Sequence, residues 1–234
     1  MPQQTDNTVS AFDNCGLDPS VLPPLMRRRT SLATRMAITA ADRACNDAGT
    51  GRDLPAIFVS TLGEMQVTHR LCEAIARQVY PLSPTLFHNS VHNTAASYWS
   101  IAVNTMEPMQ AMAGLDDGFA LGLTEAACQL ATDTTQLLLV CYDEHMPAEL
   151  LPDATWPPCS VALVLGSAHS DRPQLSIPWQ EAAAEPATAP ACAIHNPALQ
   201  ALPLLELLRS GATGTHCIQL APGSLPWFAN LVLP

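Results

Sequence analysis

The stretch Gln136-Leu137-Leu138-Leu139-Val140-Cys141-Tyr142 decides the fold. It carries no charge and does not alternate apolar with polar residues, and it is short for a helix. A run of this kind fits a strand covered on both faces, as in a sheet buried between helices. Two other runs repeat the signal. Pro55-Ala56-Ile57-Phe58-Val59-Ser60-Thr61 ends near Gly63, and Ser160-Val161-Ala162-Leu163-Val164-Leu165 follows the central run.

Helical spacing fills the intervals between these runs. Over 24–48, after Pro23 and Pro24, Leu32, Met36, Ala40 or Ala41, Ala44 and Cys45 recur three to five residues apart, and Gly49 supplies a stop. Val67, Leu71, Ile75 and Val79 predict a helix over 64–79. Pro81 and Pro84 impose a loop. A helix bearing Tyr98 and Trp99 is expected over 93–103, with Pro108 beyond its end. A strand is expected at 109–113 and an Ala- and Leu-rich helix at 118–131. Strands that alternate with helices imply an α/β fold, with a mainly parallel sheet covered by helices.

Four stretches follow from this pattern: a polar segment 1–22, the α/β unit 23–166, a Pro- and Ala-rich linker or loop 167–193, and 194–234. The last is expected to complete the same domain with a helix at 197–208 and a strand at 216–220.

The chain has 234 residues, 48% hydrophobic and 13% charged, which suits one domain with a sizeable core. So little charge also fits a surface that partly faces another subunit. The net charge is −11, and all ten basic residues are Arg. None lies between Gln78 and Asp171. Phosphate backbones require clustered cations, so nucleic acid is excluded as a partner, and so is an anionic membrane surface. No apolar run is long enough to cross a bilayer, so no membrane insertion is expected. The eight Cys residues form no Cys-x-x-Cys pair, and no signal peptide is seen. A reduced, cytoplasmic protein is expected, with Cys45, Cys128 and Cys141 acting as small core residues.

Motifs for cofactor chemistry are absent. Neither a Gly-rich dinucleotide fingerprint nor a phosphate loop occurs, and with no Lys the second is excluded. No cofactor and no metal are expected. His88 and His92 stand four apart, but no third ligand accompanies them, and capping or packing explains them as well. Asp143, Glu144 and His145 follow the central run, at the strand end where α/β sites sit. With no nucleophile nearby, a turn that caps the strand is the favoured reading. Arg27, Arg28 and Arg29 read as a solvated helix start, or as a steering patch for an acidic partner.

The order of these elements resembles the N-terminal half of the β-ketoacyl synthases, which have the thiolase fold. The resemblance spans 24–166, about 60% of the chain. The first helix carries Arg28-Arg29, Arg35-Met36-Ala37, Ala40-Ala41 and Asp47-Ala48-Gly49. Ile57-Phe58-Val59-Ser60 with Gly63 matches the next strand, and Ser90-Val91-His92-Asn93 matches the loop beside the dimer interface. Ala120, Gly122 and Ala126 match the buried helix; 137–141 with Glu144, then 160–165, complete the match. Within that family the chain is most similar to the short, ketosynthase-like chain length factors of aryl polyene and xanthomonadin-type pigment pathways.

The resemblance implies a Cys after the strand, at the N-terminus of the buried helix, where backbone N–H groups lower its pKa and bind an oxyanion. The matching register puts that position at Asp116, or at Gly114 with a slip of two. The window 109–119 holds no Cys, Ser, Thr, His or Lys. The two His residues of active members have no counterpart in a family-like glycine-rich context; His195 and His216 lack one. The family's first strand is not seen ahead of Pro23.

Two readings follow. The first is a non-catalytic subunit paired with an active ketosynthase as a heterodimer or heterotetramer, and served by an acyl carrier protein through that complex. Its tunnel-lining candidates are Val91, Thr94, Ala95 and Tyr98. Its interface candidates are Met109, Gln110, Ala111, Met112 and Ala113, an uncharged strand of the kind that finds partners when unpaired. The alternative is a stand-alone acyl-transfer or acyl-binding protein using Asp116 or Asp117 as a base. Those two acids also suit the start of a helix at Gly118.

Overall fold

The computed structural model describes residues 16–132, 134–150, 157–169, 171–181, 196–222 and 225–234. Cys15, Cys192, His195, most of the 1–22 segment and the end of the 167–193 stretch lie outside them.

The central run forms β3 (Gln136–Asp143), of which every residue but Gln136 is buried. It pairs in parallel with β1 (Ala56–Val59), so that Phe58 faces Val140, and β1 pairs in parallel with β2 (Met109–Met112). On the other side β3 pairs antiparallel with β4 (Cys159–Gly166). The order is β2-β1-β3-β4, mainly parallel and mixed only at β4. β1 and β3 pair directly, with no strand from ahead of Pro23 between them, and the edges are β2 and β4.

Side chains alternate across this sheet. Phe58, Leu138, Val140 and Tyr142 face α2 (Leu32–Asp47) and α5 (Thr94–Val103). Ile57, Val59, Leu137, Leu139 and Cys141 face α6 (Gly118–Leu130). The predicted 24–48 helix is two elements, α1 (Pro24–Arg27) and α2. Ser31 starts the second, its Oγ accepting from the Thr34 N–H at 2.9 Å, which makes it an N-cap that propensity alone did not separate from the helix. The helix after β1, α3, covers only Met65–Ala76. It ends where Gln78 takes a positive φ of 55°, so Ile75 and Val79 stay exposed rather than extending the apolar stripe. The loop expected around Pro81 and Pro84 contains a short helix, α4 (Pro84–His88), opened by Pro84 and capped by Ser83.

The C-terminal part holds more than the single helix and strand expected. Two helices, α7 (Pro197–Gln200) and α8 (Leu202–Arg209), precede β7 (Gly214–Ala221) and β8 (Trp227–Leu233). β8 pairs antiparallel with β7 and also with two short strands of the Pro/Ala-rich stretch, β5 (Gln174–Leu175) and β6 (Trp179–Gln180). Ile218, Leu220, Ala229 and Leu231 of this second sheet join the core around α6. One helix is thus packed between two sheets, and its inward residues are Phe119, Ala120, Leu123 and Ala126. Cys128 lies on its outer side and is exposed, whereas Cys45 and Cys141 are buried. Its place in an apolar run misreads which face of the helix it occupies.

Gly122 sets the distance between α6 and β1. A Cβ there would lie 2.8 Å from Val59 Cγ2 and 3.1 Å from Leu139 Cδ1. Both neighbours are fully buried and have no room to retreat. Gly122→Val is therefore expected to lower the free energy of unfolding by about 1–3 kcal/mol, measured by urea denaturation. Gly49, which has open space around it and a φ of +63°, serves as a turn control whose substitution strains only the backbone.

Candidate functional site

The C-terminal ends of β1 and β3 meet at a buried carboxylate. Asp143 accepts hydrogen bonds from Ser60 Oγ (2.6 Å), Thr61 N–H (2.8 Å) and Leu62 N–H (3.0 Å). Ser60 Oγ in turn accepts from Gly63 N–H at 2.7 Å. His92 Nε2 lies 3.0 Å from the Ser60 carbonyl, and Asn196 Nδ2 donates to the Asp143 carbonyl at 3.2 Å. Burial raises the Asp143 pKa, and the three donors oppose that shift. These contacts hold the turn after β1 and join it to the C-terminal segment. The carboxylate is committed to structure.

A second pair of acids lies beside it. Glu64 Oε1 accepts from Ser31 Oγ (2.9 Å) and Thr34 Oγ1 (2.5 Å), which ties the start of α3 to the start of α2. Burial raises the Glu64 pKa despite those donors. Burial, and then the neighbouring Glu64 charge, push the Glu144 carboxyl up to about 7, with Arg70 opposing. Glu144 borders a cavity of about 260 Å³ that Arg35, Arg70 and His145 also line.

The turn between β2 and α6 is where the nucleophile is expected. Leu115–Asp117 form one tight helical turn ahead of α6. The left-handed backbone falls at Leu115, with φ +47°, between Gly114 and Asp116. Only glycine fits at 114, because a Cβ would lie 2.8 Å from Gly118 Cα. Gln200 reaches across from α7, its Nε2 donating to the Asp116 carbonyl and its Oε1 accepting from the Phe119 N–H at 3.3 Å. Asp116 and Asp117 sit in the first helical turn, where acids are favoured by the positive end of α6.

The remaining candidates divide by exposure. Thr94, Ala95 and Tyr98 are buried in the chain's own core; Ala95 has no exposed surface, and Tyr98 Oη donates to Asn89 Oδ1 at 3.1 Å. Val91 is 48% exposed. Met109, Ala111 and Met112 are half-buried, while Gln110 and Ala113 are exposed, along a strand whose outer edge is unpaired among the described residues. His88 lies edge-on to Tyr98, with ring centroids 6.3 Å apart, so its ring is engaged in packing. No group of three or more His, Cys, Asp or Glu residues placed to hold a metal occurs among the described residues. No helix among them is long and apolar enough to cross a membrane.

The family model described as "Beta-ketoacyl synthase, N-terminal domain" matches residues 3–223. The chain belongs to this family. Its thiolase-like ketosynthase fold recurs in solved structures. It is similar to a chain in the ketosynthase ApeO in complex with its chain length factor ApeC from Xenorhabdus doucetiae, with 21% identity over 94% of this chain and 89% of that one, and a TM-score of 0.69. It is also similar to a chain of the ishigamide ketosynthase/chain length factor, with 14% identity over 93% and 85% and a TM-score of 0.68. A third likeness is to a chain of AntDE:AntF, a type II polyketide synthase acyl-carrier protein in complex with its ketosynthase; it has 10% identity over 93% and 88% and a TM-score of 0.68. No curated protein matches the sequence.

In this ketosynthase domain Gln200 occupies the N–H of Phe119, one of the helix-end donors that an oxyanion would need. Sequence spacing could not reveal Gln200, which meets α6 only through the fold. Leu115 was equally hidden, since an apolar residue before two acids gives no hint of positive φ. Ser60 and Glu64 carry a weaker signal, as polar residues next to the end of a buried strand.

The buried acids give the ketosynthase domain a pH-dependent stability. Glu144 rises from an ordinary value of 4.5 to about 7, so between these values the folded chain holds a proton that the unfolded chain releases. Stability then falls as pH rises through this window, by at most about 1.4 kcal/mol per pH unit for one proton. Glu144→Gln should raise the unfolding temperature at pH 8 and change it little at pH 5. Parallel wild-type and variant curves across that range would contradict the assignment.

Proposed function

We propose that this chain is a non-catalytic, chain-length-factor-like subunit. It pairs with an active β-ketoacyl-acyl carrier protein synthase and shapes that partner's acyl tunnel in polyketide or fatty-acid-type biosynthesis, of which aryl polyene assembly is the favoured case. The observation that carries this reading is the turn ahead of α6. The window 109–119 offers no nucleophile, and Gln200 already fills the Phe119 N–H. Relatives of the same fold solved as ketosynthase and chain length factor complexes support the pairing. An acyl carrier protein reaches this subunit through the complex.

The expected interface runs along Met109, Gln110, Ala111, Met112 and Ala113. β2 has no charged residue, and among the described residues no strand pairs with its outer edge. The isolated chain, incubated with malonyl- and acyl-carrier proteins, should yield neither condensation nor thioester hydrolysis by mass spectrometry. Turnover that Asp116→Asn abolishes would overturn the reading. Co-expressed with ketosynthases of its own organism, the chain should co-purify with one of them. Ala111→Asp should break that complex, because an unpaired buried charge costs roughly 3–5 kcal/mol; an intact complex in that variant removes β2 from the interface.

Tunnel shaping falls to the segment that carries Val91, Thr94, Ala95 and Tyr98. Ala95→Phe should destabilise the subunit by about 1–3 kcal/mol, because its site is closed. Val91→Trp should leave stability within about 0.5 kcal/mol, because its site is open. If Val91 faces the acyl chain, the second variant shortens the products of the complex. An unchanged product length with Val91→Trp takes this segment out of length control.

A further inference from the structure

We propose that the chain binds a long-chain carboxylate in a cleft at the C-terminal end of α6, between the two sheets. The cleft has a volume of about 1110 Å³. Pockets that hold small organic molecules usually span about 300 to about 1,000 Å³. The cleft is separate from the turn ahead of α6. Leu130, which lines it, lies at the far end of that helix from Gly118, roughly 18 Å along the axis.

Leucines from both sheets and both flanking helices make the walls. Leu130 of α6, Leu163 and Leu165 of β4 and Leu175 of β5 are only partly covered, and Leu208 of α8 is exposed. The inward residues in the first half of α6, by contrast, are fully buried. Ala127 meets the cleft with a single methyl group, so α6 does not fill the space itself. A concave, half-covered apolar lining favours a slender apolar ligand over a polar one.

Charge selects the head group. Arg172 lines the cleft and is the one Lys or Arg between Arg77 and Arg209. It forms no ion pair among the described residues. The amides nearby are engaged: Gln174 Nε2 donates to the His169 carbonyl at 3.0 Å, and Gln136 Oε1 accepts from Thr50 Oγ1 at 3.3 Å. Asp171, the one acid of the lining, has its Oδ1 3.8 Å from His169 Nδ1. A guanidinium beside apolar walls matches a carboxylate on an aliphatic chain, which it can hold through two parallel hydrogen bonds. A single guanidinium with an acid next to it suits a singly charged head and disfavours a dianionic phosphate.

Binding here requires no partner subunit, so the full chain alone is titrated with dodecanoate below its micelle concentration, by calorimetry and by unfolding temperature. Wild type should take up a single equivalent and unfold at a higher temperature. Arg172→Gln should weaken dodecanoate about tenfold and leave the affinity for uncharged dodecanol unchanged. Ala127→Phe, which fills the cleft, and Leu208→Asp, which places a charge on its rim, should abolish binding of both. Leu208 is exposed, so that variant keeps its fold even where Ala127→Phe does not. Wild type that shows no saturable binding overturns the proposal. Binding that survives in the folded cleft variants also overturns it, because the ligand then lies elsewhere. Equal dodecanoate affinity in Arg172→Gln, or tighter binding of dodecyl phosphate than of dodecanoate, overturns the carboxylate as the head group.

Discussion

The buried carboxylate of Asp143 takes hydrogen bonds from Ser60 Oγ and from the Thr61 and Leu62 N–H groups. Its own carbonyl accepts from Asn196, whose Oδ1 opens α7 by accepting from the Ala198 N–H at 3.0 Å. The end of β1, the end of β3 and the C-terminal helices therefore share one polar junction. A buried carboxylate with three donors is stable where an unpaired one is not. Loss of any one donor leaves the others solvating a group that water cannot reach. The placement of α7, and so of Gln200 against the turn ahead of α6, follows from this junction. The hydrogen bond that Gln200 makes to the Phe119 N–H thus depends on a residue at the opposite end of β3 from Gln136.

The elements whose covering is complete were legible in the sequence. β3 is buried on both faces, so it has no alternation to misread, and its uninterrupted apolar run marked it directly. β1 and α6 were legible for the same reason. Boundaries set by single contacts were not. Ser31 divides α1 from α2 through a hydrogen bond to Thr34, and a Ser within a helical spacing looks like any other surface position. The second sheet was the largest omission. Gln174–Leu175 and Trp179–Gln180 are two residues each, too short to show a period, and they become strands only because β8 offers them an edge.

The candidate site divides along similar lines. The absence of Cys, Ser, Thr, His and Lys from 109–119 was readable because it rests on residue types alone. The conformation of that window was not, because positive φ at Leu115 is imposed by Gly114, Gly118 and Thr61 together. Asp143 and Glu144 were visible as polar residues at a strand end, yet adjacent positions on a strand face opposite sides and meet different neighbours. Asp143 finds the Ser60 hydroxyl and the Thr61 and Leu62 N–H groups, whereas Glu144 accepts from the Ala33 and Gln66 backbone and lies beside the Glu64 charge. The sequence shows both as acids; only the fold assigns one to capping and the other to proton uptake near neutral pH.

No Arg lies between Gln78 and Asp171, and within that span Phe87, Val91, Ile101, Met106 and Leu115 are all exposed. Phe87 lies in α4 and Ile101 in α5, Val91 and Met106 lie in the links beside these helices, and Leu115 lies in the turn before α6. Scattered exposed apolar residues are ordinary on a protein surface. Edge strands that must remain alone are normally defended by Lys, Pro or inward-facing charge. Met109-Gln110-Ala111-Met112 has none of these, and the Pro that precedes it, Pro108, uses its carbonyl to bond the Ala56 N–H on the inner side. Among the described residues no strand pairs with the outer edge of β2.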